Sequence, residues 1–141
     1  MKATNWKKVK PPRTRHGGPG AAKPTKEGLR VRGRFWVSAG GETFLGYGRV
    51  VLLEQIQEHG SITQAAKSMG MAYRHAWELV DSMNRHSRKP LVVSAVGGQQ
   101  GGGTTVTDEG LKAISFFWKT YDAFQKGLAR LQPRVDELGG D

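Results

Sequence analysis

The feature that most constrains the fold of this chain is the stretch from Gly60 to Arg85, which reads as two short helices joined by a tight turn. Ser61 is a favourable N-cap for the first helix, and Gln64 stands three residues later, where a capping box has Glu or Gln. The apolar face of this helix comprises Ile62, Ala65, Ala66 and Met69. Gly70 then supplies the backbone freedom that a sharp turn requires.

The second helix is predicted to begin near Ala72. Its apolar residues recur every three or four positions and predict one buried face: Ala72, Ala76, Leu79, Val80 and Met83. A helix, a glycine-containing turn and a second helix are the parts of a helix-turn-helix, whose second helix lies in the major groove. We therefore predict a recognition helix over residues 72–85. The alternative is an ordinary helical hairpin with a solvated outer face.

The outer face of the second helix is polar and aromatic. Helical geometry places these residues opposite the core: Arg74, Trp77, Glu78, Asp81 and Arg85. Arg74 suits a bidentate contact with guanine, while Tyr73 and His75 suit phosphate or a base edge. Trp77 either contacts a base or sugar or packs against another element. We predict DNA contacts from Tyr73, Arg74, His75, Trp77 and Arg85.

Positive charge is concentrated at the N-terminus. The net charge is +10, and residues 1–34 hold 11 of the 22 basic residues but only one acidic residue. Residues 1–28 are rich in proline and poor in apolar residues, so we predict a disordered basic arm that binds nucleic acid. The alternative is that the arm only aids solubility. Residues 29–141 are long enough to form one folded domain.

Short strands are predicted on both sides of the helix pair. Alternation over Leu29–Val37 predicts a half-buried strand, and the Gly40-Gly41 pair predicts a hairpin that returns through Glu42–Leu45. Arg32 and Arg34, on the polar side of this hairpin with Arg30, either follow phosphate or protect a sheet edge. A helix from about Gly48 to His59 follows.

A second hairpin is predicted directly after the helix pair. Leu91–Val96 and Thr104–Thr107 read as strands joined by a glycine-rich loop over residues 97–103, which is the arrangement of a wing. We predict backbone contacts with DNA from the loop residues Gly98, Gln99, Gln100, Gly101 and Gly102. The alternative is a mobile tip that contacts nothing. A phosphate cradle is not favoured, because the loop lacks the Gly-Lys-Ser/Thr ending and precedes a strand.

A long helix is predicted from Asp108 to Leu131, with Thr107 as its N-cap. Its apolar residues recur at three- or four-residue spacing, broadened by Phe116 and Phe117: Leu111, Ile114, Trp118, Tyr121, Phe124, Leu128 and Leu131. We interpret part of this stripe as a dimer seam. The alternative, that the whole stripe packs within its own domain, stays open. The predicted fold is mainly α with small β elements, a winged helix-turn-helix plus a long C-terminal dimerisation helix.

Several classes of protein are not expected. The chain has no cysteine, no apolar run of membrane-spanning length and no apolar segment near its N-terminus, so we expect a cytoplasmic protein associated with the nucleoid. The four histidines (His16, His59, His75 and His86) lack metal-ligand spacing. No pair of carboxylates lies in an apolar setting. We therefore expect no enzyme, metal or cofactor.

The helix pair and its flanks resemble a known family. The chain is similar to the N-terminal DNA-binding domain of the ModE-type molybdate-responsive regulators, related to the LysR-type winged-helix domain, over roughly Leu29–Leu131. The resemblance is carried by Gly60-Ser61-Ile62, Ala66-Lys67, Gly70, Tyr73-Arg74, Ala76-Trp77, Met83-Asn84, and the loop Val96–Gly103 followed by Thr107.

The resemblance implies a homodimer that binds double-stranded operator DNA, with its terminal helix contributing to dimerisation. Family members sense molybdate through a separate C-terminal domain, for which we expect this chain to have no room, so molybdate binding is not expected. The leading hypothesis is a sequence-specific transcriptional regulator. The alternative is an architectural or adaptor protein that uses the winged helix for protein contacts and the arm for non-specific nucleic-acid binding.

Overall fold

The computed structural model describes residues 28–95 and 103–139. The part so described is mainly helical with two small antiparallel sheets, which confirms the predicted class at this level. Its elements in chain order are β1 (Val37–Ala39), β2 (Glu42–Leu45), α1 (Tyr47–His59), α2 (Ile62–Met69), α3 (Tyr73–His86), β3 (Val92–Ser94), β4 (Thr104–Val106) and α4 (Asp108–Asp136). The predicted arm up to residue 27 lies outside the described residues, as do the loop residues Gly98, Gln99, Gln100, Gly101 and Gly102.

Helix α1 lies at the centre of the core. Four of its side chains are fully buried: Val50, Leu52, Leu53 and Ile56. A helix that is apolar on most sides is covered by neighbours on most sides, and α1 packs against α2, α3, α4 and β4. The helix predicted from about Gly48 to His59 is confirmed, and its observed start at Tyr47 lies one residue earlier.

The predicted strand over Leu29–Val37 is wrong, because the first strand begins only at Val37. The backbone of this segment bonds to a side chain of α4. The Val31 N–H donates to Gln132 Oε1 at 3.0 Å, and Gln132 Nε2 donates to the Leu29 carbonyl at 2.8 Å. The alternating apolar pattern thus reflects packing on a helix and not pairing with a strand.

Helix α4 continues to Asp136, past the end that we predicted before Pro133. Proline lacks the N–H of an ordinary helical residue, which is why its position predicted an end. Contacts with the N-terminal segment support the extra turn: Gln132 bonds to Leu29 and Val31 and also donates to Asp136 Oδ1 at 2.7 Å.

The apolar stripe of α4 faces the domain itself over most of its length. Phe117 is fully buried, and its ring centroid lies 5.4 Å from that of Phe35 and 5.3 Å from that of Trp118. Trp118 also packs edge-on against Tyr47 of α1 at 5.3 Å. Three residues of the predicted stripe, Leu111, Phe116 and Leu131, are exposed instead. None of the described helices is both long and apolar enough to cross a membrane.

Candidate nucleic-acid interface

The turn between α2 and α3 is built as the sequence predicts. The Ser61 hydroxyl accepts from the Gln64 N–H at 3.2 Å and caps α2. Gly70 ends α2 with φ 65° and ψ 31°, in the left-handed region that glycine adopts without strain. The Met71 N–H then donates to the Ala66 carbonyl at 3.0 Å. This turn sets the direction in which α3 leaves α2.

The inner face of α3 holds the helix against the core. Ala76, Val80 and Met83 are buried, as predicted. Ala72 is exposed, contrary to the prediction, because it is the N-cap residue and its extended backbone lies outside the helix. Arg49 of α1 donates through Nη1 to Ser82 Oγ at 3.0 Å, which joins α1 to α3. Burial lowers the pKa of the Arg49 guanidinium below its ordinary value.

The outer face of α3 is open to solvent and carries the five predicted contact residues. Tyr73 and Trp77 are 53% and 50% exposed, so neither ring is enclosed by another element. The remaining three are exposed as well: Arg74, His75 and Arg85. Arg74 bonds to Glu78 and Arg85 bonds to Asp81 on the same face. These positions suit a recognition helix, and the DNA contacts themselves stay predictions.

Asn84 joins the end of α3 to β3, a role that no local pattern in the sequence indicates. Its Oδ1 accepts from the Leu91 and Val92 N–H groups at 2.9 and 3.3 Å, and its Nδ2 donates to the Val92 carbonyl at 3.0 Å. One amide thereby satisfies three backbone groups beyond the helix. The hairpin of β3 and β4 is consequently fixed in position relative to the outer face of α3.

The hairpin of β3 and β4 is anchored on two further sides. The Thr104 N–H donates to the Gly60 carbonyl at 2.9 Å, next to the start of α2. Thr107 caps α4 as predicted by accepting from the Gly110 N–H, and it also donates to the Pro90 carbonyl at 2.6 Å. The strands pair antiparallel from Val92 with Val106 to Ser94 with Thr104. The predicted contact residues at the tip of this hairpin lie in the interval that is not described.

Arg32 and Arg34 are exposed, but they do not lie on a strand as predicted. Their segment runs along the C-terminal half of α4. A Cβ atom on the intervening Gly33 would lie 2.8 Å from the Phe124 ring, which shows how closely the backbone approaches that helix. The polar edge of the first hairpin therefore lacks these arginines.

The C-terminal end of α3 also contacts the first hairpin. The His86 ring and the Glu42 carboxylate of β2 are 2.7 Å apart. This hydrogen bond, together with the charge of His86, holds the pKa of Glu42 below its usual value. Within residues 28–95 and 103–139, no three His, Asp or Glu side chains are grouped so that they would hold a metal ion.

Comparison with known proteins yields several relatives, although no protein-family model matches the chain. Over 94 residues the chain is 43% identical to the molybdenum transport protein ModE of Azotobacter vinelandii, covering 66% of this chain and 35% of the relative. It is 38% identical over 91 residues to the molybdenum-pterin-binding protein MopA of Rhodobacter capsulatus, covering 64% and 34%. It is 41% identical over 93 residues to the DNA-binding transcriptional dual regulator ModE of Escherichia coli K12, covering 66% and 32%.

The chain therefore spans about a third of the length of these relatives. The matched region is nevertheless long, because it includes about two thirds of the residues of this chain. This similarity supports a ModE-like domain over the matched residues.

Proposed function

We propose that this chain is a sequence-specific DNA-binding transcriptional regulator of ModE-like type that acts as a homodimer. In this proposal α2 and α3 form a helix-turn-helix, the hairpin of β3 and β4 is the wing, and part of α4 forms the dimer contact. The observation that carries it is the division of α3 into a buried inner face and an outer face of exposed arginine, histidine and aromatic side chains. This is the arrangement of a helix that reads bases in the major groove.

The names of the relatives support the same proposal. The Escherichia coli relative is named a DNA-binding transcriptional dual regulator, and the Yersinia pestis and Haemophilus influenzae relatives are named transcriptional regulators. None of these names describes an enzyme. We extend the regulatory role to this chain, and with it an action on DNA in the cytoplasm, at the nucleoid.

The contacts that we propose fall into three groups. Base contacts come from the α3 residues Tyr73, Arg74, His75, Trp77 and Arg85. Contacts from the wing come from the loop residues Gly98, Gln99, Gln100, Gly101 and Gly102. Residues 1–28 form an arm that adds affinity for phosphate, supported by the exposed Arg32 and Arg34 of the domain that starts at residue 29. In a dimer, two copies of α3 would meet half-sites roughly 34 Å apart.

The test is selection from a random pool of duplexes at two salt concentrations, with the full chain and with a form that starts at Gly28. We expect a palindromic motif that both forms enrich. If neither form enriches a sequence and binding vanishes without the arm, the regulator proposal is wrong and the adaptor alternative replaces it.

Molybdate is not needed for DNA binding in this proposal. Three of the relatives bear names that refer to molybdenum, and those names describe whole proteins of which this chain covers about a third. A ligand that binds the folded state raises its melting temperature. The proposal gives molybdate no role, so it expects an unchanged melting temperature across added molybdate, and a concentration-dependent rise would contradict this part of it.

A further inference from the structure

The outer face of α3 carries two arginines, each bonded to a carboxylate one helical turn away. Arg74 Nε donates to Glu78 Oε1 at 3.3 Å, and Arg85 Nε donates to Asp81 Oδ2 at 3.1 Å. A guanidinium has five N–H donors. Because both bonds are made through Nε, each restrains its arginine and leaves the Nη N–H groups as donors, on side chains that are 90% exposed for Arg74 and 60% exposed for Arg85.

Helix stability gives little reason for the Arg74–Glu78 pair. The side chains of Arg74 and Glu78 are 90% and 56% exposed, and exposed pairs at this spacing contribute little to folding. The order of Arg74 and Glu78 is also the weaker one, because an acid stabilises a helix more when it precedes its basic partner. The reason for a carboxylate at residue 78 must therefore be sought in what the face binds.

The two carboxylates also remove the net charge of the face. Arg74 and Arg85 contribute two positive charges, and Glu78 with Asp81 contributes two negative charges. A carboxylate near DNA is repelled by every phosphate, whatever the sequence. The exposed segment that contains Arg30, Arg32 and Arg34 has no such acidic residues among positions 28–36. Sequence-independent attraction thus lies outside α3.

We propose that Glu78 and Asp81 determine specificity by excluding duplexes that offer them no hydrogen-bond donor. This inference rests on the proposed function. An ionised carboxylate only accepts, and cytosine N4 is the donor that acidic side chains bind in the major groove. Guanine O6 and N7 are acceptors that suit the restrained arginines. The preferred site therefore presents guanine to Arg74 and a cytosine amino group to Glu78.

The test compares Glu78→Gln with the unmodified full chain, on the enriched motif and on a scrambled duplex of the same composition. Glutamine has the same size but no charge, and it donates as well as accepts. We expect tighter binding of the scrambled duplex and a fall of about tenfold in the ratio of the two affinities, as for one base contact. Selection with the variant should also lose the cytosine preference at one position, and Asp81→Asn should lower the ratio in the same direction.

The matched control is Asp122→Asn on α4, where Asp122 forms an exposed pair with Lys126 at 2.9 Å. It changes the net charge equally, and because repulsion by phosphate does not depend on sequence, an effect of charge alone would tighten binding of both duplexes and leave their ratio unchanged. A fall of the ratio in Asp122→Asn as large as that in Glu78→Gln would overturn the inference. An unchanged ratio in Glu78→Gln would overturn it too, while leaving the regulator proposal intact. If the unmodified chain enriches no sequence, the proposed function itself fails.

Discussion

At the scale of single residues, the position of the hairpin of β3 and β4 depends on a close approach between its backbone and the start of α4. Gly110 lies in the first turn of α4 and is buried against the end of β4. A Cβ atom at this position would lie 2.4 Å from the Leu91 carbonyl oxygen and 2.6 Å from Val106 Cγ1. Both distances are shorter than van der Waals contact, so only glycine allows the helix to begin here.

We expect Gly110→Ala to lower the free energy of unfolding by roughly 1–3 kcal/mol, since forcing an extra carbon into a packed region has this cost. Urea unfolding monitored by circular dichroism measures the change. The control is Gly48→Ala in α1, where nothing lies within 4 Å of the added carbon. Alanine is preferred over glycine in helices by up to about 1 kcal/mol, so the control should be neutral or more stable. Equal losses in both variants would contradict the close approach at Gly110.

Arg74 is the residue of α3 with the clearest expected role. Its exposed side chain is held through Nε, and its remaining donors suit guanine. Arg74→Ala should weaken binding to the preferred duplex by about 1–3 kcal/mol and relax the preference at one position of the motif. Titration of matched and mismatched duplexes tests this. A uniform loss on all sequences would mean that Arg74 contacts only phosphate.

The role of a polar residue could be predicted from the sequence where its partner is local, and could not where its partner lies on a distant element. The caps Ser61 and Thr107 were predicted because each bonds to a backbone group three residues later. Asn84 and Arg49 were not predicted, because their partners lie on other elements. No spacing in the chain indicates which backbone group a polar side chain will meet across a loop.

At the scale of elements, α1 and α4 are joined by aromatic packing and by one half-buried carboxylate. Glu54 of α1 accepts a hydrogen bond from the indole N–H of Trp118. Burial raises the pKa of Glu54, and the bond from Trp118 opposes that rise only in part. Ionised Glu54 therefore lowers the free energy of unfolding, because folding removes part of the solvation of its carboxylate.

Glu54→Gln should raise the melting temperature near pH 7, because glutamine still accepts from Trp118 and has no charge to desolvate. Because burial raises the pKa of Glu54, the folded state favours the protonated carboxyl. The stability that the protonated carboxyl contributes is fully present below the unfolded pKa and is lost as the pH rises through the folded pKa. The gain in the variant should thus shrink at about pH 4, where the carboxyl is largely protonated. Glu137→Gln at the exposed end of α4 is the control. A gain that does not depend on pH would contradict the assignment.

The face of α4 beside its buried stripe has small and apolar residues at three- or four-residue spacing. Phe116, Ala123 and Leu131 are exposed, while Thr120 and Gly127 between them are half-buried. Small residues allow a second helix to approach closely, so we expect the proposed dimer contact on this face. Ala123→Glu should shift the chain towards monomer in sedimentation velocity without lowering its melting temperature in dilute solution.

Ala129→Glu, also exposed but on another side of α4, is the matched control for this prediction. It should leave the association unchanged. A chain that sediments as a monomer before any substitution would contradict the dimer itself, and equal effects of both substitutions would contradict only the choice of face.

Periodicity and capping residues predicted the positions of the helices, whereas the structure of segment 28–36 and the end of α4 could not be predicted in this way. The segment 28–36 and the last turn of α4 depend on each other through Gln132, whose partners lie 101 and 103 residues away. A local pattern of alternation or a proline cannot contain that information. The strand predicted over Leu29–Val37 and the early end predicted for α4 are wrong for this one reason.

At the scale of the whole molecule, most of the excess positive charge and the side chains that we propose to contact bases occupy different parts of the chain. The described outer face of α3 balances two arginines with two carboxylates. The sequence before Gly28, outside the described residues, contains eight basic residues and one acidic residue. This separation suggests that affinity and specificity can be changed independently, and it leads to a prediction about salt.

Removal of residues 1–27 should reduce the salt dependence of DNA binding while preserving the preferred sequence. Each phosphate that a protein neutralises contributes about 0.9 to the slope of log affinity against log salt. Eight basic residues in the arm therefore correspond to a loss of up to about seven units of slope if all of them contact phosphate. Binding isotherms over a series of salt concentrations, on the motif and on a scrambled duplex, measure both quantities. An unchanged slope would mean that the arm does not contact phosphate, and an altered motif would mean that the arm reads bases, in which case charge and sequence recognition are not separated in this molecule.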